Sequence, residues 1–183
     1  AGQRPPRRGP KGLLTPRLES SNMQVRPDAR ILDEPLLLVG EVVKGFGRGS
    51  KVLGIPTANL HEDALKQLPA SFTNGIYFGF ATVDGHGTHP MVSSIGCNPY
   101  FANKARTVEP HLLHDFPEDF YGAKIRVLIT GYLRSEADFT SLDALIEAIK
   151  TDIAIAKDFL ARPDQITQRF QHPPTLFATT CHT

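Results

Sequence analysis

The chain of 183 residues contains only two cysteines, Cys97 and Cys181. They form neither a C-x-x-C pair nor a disulfide framework, which points to a reducing compartment. No stretch approaches the ~18 uninterrupted apolar residues of a membrane span. The N-terminal stretch lacks the apolar h-region of a secretory signal. A standard phosphate loop is missing too. "GFGRGSKVLGIPTANL" (45–60) matches neither G-x-x-x-x-G-K-[ST] nor the G-x-G-x-x-G that opens a helix in dinucleotide-binding folds.

What is present is the composition of one globular domain with tails, 40% hydrophobic and 21% charged. The net charge of +1 hides an asymmetry: residues 1–30 hold seven Lys/Arg against two acidic residues, leaving the remainder at −4. An acidic body argues against a nucleic-acid surface. Residues 1–33 read as a basic, proline-rich, disordered leader. Residues 34–163 read as the folded domain, and 164–183 as a tail. The expected location is cytoplasmic. The arginine-rich leader and its "RLESSNMQV" leave an organelle address as the alternative.

Past the leader, strand-length apolar runs alternate with turn signals. "LLLVGEVVKGF" (36–46) is one strand; "GIYFGFATV" and "THPMVSSIGC" flank the hairpin turn "DGHG". "RTVEPHLLH" and "YGAKIRVLITGYLR" follow. The latter sets Ile125, Val127 and Ile129 against Arg126, Leu128 and Thr130, as if one face were buried and one polar. From Leu142 to Leu160, apolar residues recur at helical spacing after Thr140 and Ser141, until Pro163. Strands first and one helix last give an antiparallel sheet or barrel with a helix packed on it, and disfavour a doubly wound fold.

The alternating glycines have two readings. They form a β-bulge or loose hairpin, or they let backbone N–H groups face a phosphate chain while Arg48 and Lys51 neutralise it. The adjoining "IPTANLHEDAL" likewise reads as a short helix capped by Asn59 and Glu62, or as a metal segment. Thr57 and Asn59, two apart in extended chain, project to one side and offer oxygens suited to a hard divalent cation. His111 and His114 would lie on opposite faces of a strand without a third ligand, so a zinc site is rejected. His86 and His89 flank the hairpin turn and read as exposed.

The run "GEVVKGFGRGSKVLGIPTANL", followed in order by "GIYFGFATV", "SIGCNPYF", "VEPHLLHDFPEDFYG" and "GYLRSEADFTSLDALIEAI", resembles the riboflavin kinase family over about 36–160. The resemblance implies a small antiparallel Greek-key barrel with a C-terminal helix. It also implies transfer of the ATP γ-phosphate to riboflavin, giving FMN and ADP. It assigns the catalytic base to Glu109, and ATP contacts to Lys44, Gly47, Arg48, Gly49, Ser50, Lys51, Gly54, Thr107 and His114. Thr57 and Asn59 would hold the cation: Mg²⁺ first, Zn²⁺ or Mn²⁺ as alternatives. The flavin would lie between "NPYFANKART" and the end of "GYLRSEADF", with Arg134 leading and Tyr132 and Glu136 beside it. From its residues alone, Arg134 reads equally well as a surface ion pair with Glu136 or Asp138.

Small-molecule substrates, no nucleic acid, no membrane span and a monomer are the expected partner set. Bacterial relatives often carry a fused adenylyltransferase domain. The stretch before Leu36 is too short and proline-rich for one, so FMN rather than FAD is the expected product. The competing readings are a non-catalytic flavin- or nucleotide-binding barrel, which would have no use for a base, and an oligonucleotide binder, for which an aromatic ladder is missing.

Overall fold

The computed structural model describes residues 26–45, 54–97 and 106–162. In chain order they form β1 (Arg30–Val43), β2 (Asn59–Leu60), α1 (Glu62–Leu65), β3 (Gly75–Val83), β4 (Gly87–Cys97), β5 (Arg106–Leu112), β6 (Lys124–Arg134) and α2 (Leu142–Leu160). The strands make one sheet in the order β2-β1-β6-β3-β4-β5, every pair antiparallel. The last strand in sequence sits between the first and the third, which is the long return of a Greek key.

The sheet curls until its two edges meet. The Ala58 N–H donates to the Pro110 carbonyl at 2.9 Å, and the barrel is closed there apart from a short open stretch of β1. Gln67 covers part of that stretch: its side-chain amide bonds both the N–H and the carbonyl of Val39, at 3.0 and 2.7 Å. An open edge is thereby blunted.

Two faces carry two cores. Leu38, Val42, Tyr77, Ile95, Val108, Ile125, Val127 and Ile129 fill the barrel interior, none more than 2% exposed. On the outside, α2 lays Ile155, Ala156 and Leu160 over Phe78, Val92 and Leu133. Ser141 caps α2, its Oγ accepting from the Ala144 N–H, as a serine before an apolar periodic run should. No helix among the described residues is long and apolar enough to cross a membrane.

Three features differ from the sequence reading. β1 starts at Arg30, inside the stretch read as leader, and a register shift between Ile31 and Leu36 lets it continue past Pro35. The second face of β6 is not polar: Leu128 is 2% exposed and Thr130 fully buried. Against β3, β6 carries two extra residues, Thr130 and Leu133. Such bulges increase twist, which a small closing barrel needs. The short helix after "PTAN" is capped by His61, whose imidazole accepts from the Asp63 N–H, while Asn59 belongs to β2.

Candidate active site

Strand alternation fixes which side chains leave the core. On β5, Val108, Pro110 and Leu112 are buried, so Thr107, Glu109 and His111 point outward and are half-buried. Along 57–60, Ala58 and Leu60 are buried, and Thr57 and Asn59 project outward together. The Ala58–Pro110 hydrogen bond runs these two segments side by side. A second bond reinforces it, from His111 Nδ1 to the Pro56 carbonyl at 2.7 Å. A carbonyl only accepts, so Nδ1 carries the proton. Glu109 is therefore about one strand spacing, ~4.8 Å of backbone separation, from the segment bearing Thr57 and Asn59.

Burial holds the His111 imidazole below its ordinary range. The Pro56 hydrogen bond opposes this, and the Lys157 cation on α2 adds to it. Among the described residues nothing hydrogen-bonds or ion-pairs with the Glu109 carboxylate.

Freed from capping, Asn59 lies directly over Gly45. A Cβ built on Gly45 would fall 2.2 Å from Asn59 Nδ2 and 3.0 Å from its Oδ1. The glycine-rich arch thus departs from β1 against the carboxamide, just after the exposed Lys44. It re-enters the described chain at Gly54, whose φ of 70° is left-handed. Gly47, Arg48, Gly49, Ser50 and Lys51 lie outside the described residues.

Pairing aligns Glu109 with Ser94, Ser94 with Ile76, and Ile76 with Arg134. One row across four strands thus joins Glu109 to Arg134, three strand spacings or ~14 Å of path along the curved sheet. Beside that row Gly96 pairs with Thr107, and Glu136 is seated on Gly96, where a Cβ would lie 2.1 Å from its Oε1.

Arg134 pairs with neither Glu136 nor Asp138 as a surface ion pair. Its Nε and Nη2 grip the buried Asp152 of α2, at 2.9 and 2.8 Å. Tyr132 turns its ring into the barrel core, edge-on to Tyr77 at 5.2 Å, and only its hydroxyl reaches out, to Ser135 Oγ at 2.8 Å. His114 stacks on His89 with ring centroids 4.0 Å apart, and Phe116 meets His86, His89 and His114 edge-on. Of the hairpin histidines, His86 is exposed as expected, while His89 is half-buried against His114 and Phe116.

Asp152 is the residue the sequence reading passed over. It lies three after Ile149 and four before Ala156, within the apolar stripe of α2. A carboxylate there signals a buried cation partner.

Among the described residues, the element after β1 is another strand, β2, and not a helix. That separates this chain from doubly wound nucleotide-binding proteins and puts it among proteins built on one small antiparallel barrel. A family model described as "Flavokinase: Riboflavin kinase" matches residues 32–160. The chain is 51% identical over 132 residues to the riboflavin kinase of Homo sapiens, covering 72% of this chain and 85% of that protein. The Mus musculus riboflavin kinase matches to the same extent. Among solved structures, riboflavin kinase from Trypanosoma brucei superposes with a TM-score of 0.59 at 33% identity, covering 82% of this chain and 93% of that one. The chain belongs to the riboflavin kinase family.

Proposed function

We propose that this enzyme moves the γ-phosphoryl group of ATP onto the ribityl 5′-hydroxyl of riboflavin, yielding FMN and ADP, with Glu109 as general base. The observation that carries this reading is the pairing of β5 with the 56–59 segment, which brings a carboxylate beside a hydroxyl and a carboxamide. Phosphoryl transfer asks a protein chiefly for positioning, charge neutralisation and removal of one proton.

Glu109 removes the proton of the 5′-hydroxyl as its oxygen attacks the γ-phosphorus, and ADP leaves on the opposite side. Thr57 and Asn59 suit a hard cation: both offer uncharged oxygens on one face, and neither caps the following helix. These two residues would hold a divalent ion, Mg²⁺ before Mn²⁺ or Zn²⁺, which when bound would neutralise phosphate charge. Lys44, Arg48 and Lys51 do the same from the arch, while Gly47, Gly49, Ser50 and Gly54 let the backbone approach the phosphates. Thr107 and His114 complete the nucleotide side.

Glu136, Arg134 and the Tyr132 hydroxyl border the flavin, at the far end of the row that starts with Glu109.

The test is incubation with riboflavin, ATP and Mg²⁺ followed by chromatography for FMN, with the wild type and Glu109→Gln side by side. Glu109→Gln should fold normally and turn over roughly 10²–10⁴-fold more slowly. A single-turnover rate equal to wild type removes Glu109 from the mechanism.

A further inference from the structure

We infer that Asp152 is a positioning residue for the riboflavin side of the site, acting through Arg134 rather than on substrate; this rests on the flavin location proposed above. Among the described residues, Asp152 is the one charged side chain that is fully buried, at 1% exposure. Arg134 Nε and Nη2 hold it from β6, and Arg26 Nε holds it from the approach to β1, at 3.2 Å.

A buried ion pair seldom adds net stability over a well-packed apolar pair. What a guanidinium fork does supply is fixed orientation. The same Arg134 guanidinium donates through Nη1 to the Ser135 carbonyl at 3.0 Å, and Ser135 Oγ meets the Tyr132 hydroxyl. The clamp therefore sets where the chain leaves β6.

One residue further on, the Glu136 carboxylate lands on the bare Cα of Gly96. Gly96 pairs with Thr107, two residues from Glu109 on β5. The route from helix to site is continuous: Asp152, Arg134, Ser135, Glu136. Loss of the carboxylate at 152 frees the fork and lets Glu136 drift from its seat, while the 57–59 segment, on the opposite flank of β5, stays in place.

The test reads riboflavin affinity directly, by quenching of flavin fluorescence in the full chain, beside the KM for ATP and the urea midpoint. Asp152→Asn keeps the shape and one acceptor oxygen. It should raise the riboflavin Kd about tenfold with the ATP KM changed by less than about twofold. Ala156→Gly loosens the same buried helix without touching the clamp; it should lower the urea midpoint and leave riboflavin affinity alone.

The inference is overturned if Asp152→Asn binds riboflavin as wild type does, or if Ala156→Gly weakens binding equally. Should Asp152→Asn fail to fold, Arg26→Gln removes one cation and leaves Arg134 in place. A riboflavin Kd raised about two- to threefold supports the clamp, and an unchanged Kd overturns it. Glu136→Ala separates the two levels. If it weakens riboflavin binding while Asp152→Asn does not, the clamp alone falls; if neither matters, the flavin location falls with it.

Discussion

Gly45→Ala should inactivate the enzyme without unfolding it, and the reason is a single steric contact. Gly45 is not in the left-handed region, so its backbone accepts alanine. At a compatible position such a change stabilises a chain by about 0.4–1 kcal/mol through the unfolded state. The new Cβ, however, would lie 2.2 Å from Asn59 Nδ2 and 2.7 Å from its Cγ, where ordinary contact begins at 3.4 Å. The carboxamide must retreat by about 1.2 Å. Magnesium sites accept ligands only near ~2.1 Å, so a displacement of that size would remove Asn59 from the proposed ligand set. A misplacement of about 1 Å at such a site costs on the order of 10²-fold in rate, or about 2.7 kcal/mol.

The assay is kcat/KM and Mg²⁺ half-saturation for four proteins: wild type, Gly45→Ala, Asn59→Ala and the double variant. With the carboxamide gone there is nothing to strike. Gly45→Ala should then cost less than about twofold in the Asn59→Ala background, giving a coupling of roughly 2 kcal/mol. Equal cost in both backgrounds would show that alanine distorts the arch itself, and the steric reasoning would be wrong. A thermal midpoint that falls with activity would be equally damaging.

Thr57→Val keeps the shape and deletes the hydroxyl. Its Mg²⁺ requirement should rise by roughly 10-fold or more, and an unchanged metal titration would leave the 57–59 segment without a ligand role. His111 is held below its ordinary pKa of 6.5 by burial. The unfolded chain then takes up the proton first, and stability should decline as pH falls below about 6.5. His111→Asn, which can still donate to the Pro56 carbonyl, should flatten that part of the urea-midpoint profile; an identical slope in both proteins refutes the assignment. Gly131→Ala would set a Cβ 1.9 Å from Cζ of Phe78, which is fully buried and stacked on Phe159. It should cost about 2–3 kcal/mol in urea unfolding, part of it recovered by Phe78→Leu.

Most of the barrel could be read before folding, because period-2 and period-3.6 patterns are local. "GIYFGFATV", "DGHG" and the α2 stripe became β3, the hairpin turn and a helix capped by Ser141. What escaped was set by contacts distant in sequence. β1 extends back to Arg30 because β6 offers partners for Arg30 and Ile31, which no pattern in "RILDEP" announces. The bulges at Thr130 and Leu133 answer the curvature of the closed sheet. In the site, the shared side of Thr57 and Asn59 followed from spacing. The neighbourhood of Glu109 came only from family resemblance, since the contact of His111 with Pro56 joins residues 55 apart in sequence. The pairing of Arg134 with Asp152 rather than its acidic neighbours is another fold-level outcome. Position 152 is on the buried stripe, while Glu136 and Asp138 are exposed.

The inner core and the outer chemistry are two readings of one alternation, and that couples them. On β5 the burial of Val108 and Leu112 is what turns Glu109 outward between them. On the 57–60 segment the burial of Ala58 and Leu60 does the same for Thr57 and Asn59. A slip of one residue in either strand would send a carboxylate or a carboxamide into the barrel and an apolar side chain into the site. The hydrophobic interior penalises that slip, so the phase of the proposed catalytic residues is enforced by side chains buried inside the barrel. The Ala58–Pro110 and His111–Pro56 bonds then lock the two correctly phased segments against each other along the seam of the barrel. Closing the sheet and assembling the site are, at that seam, the same event.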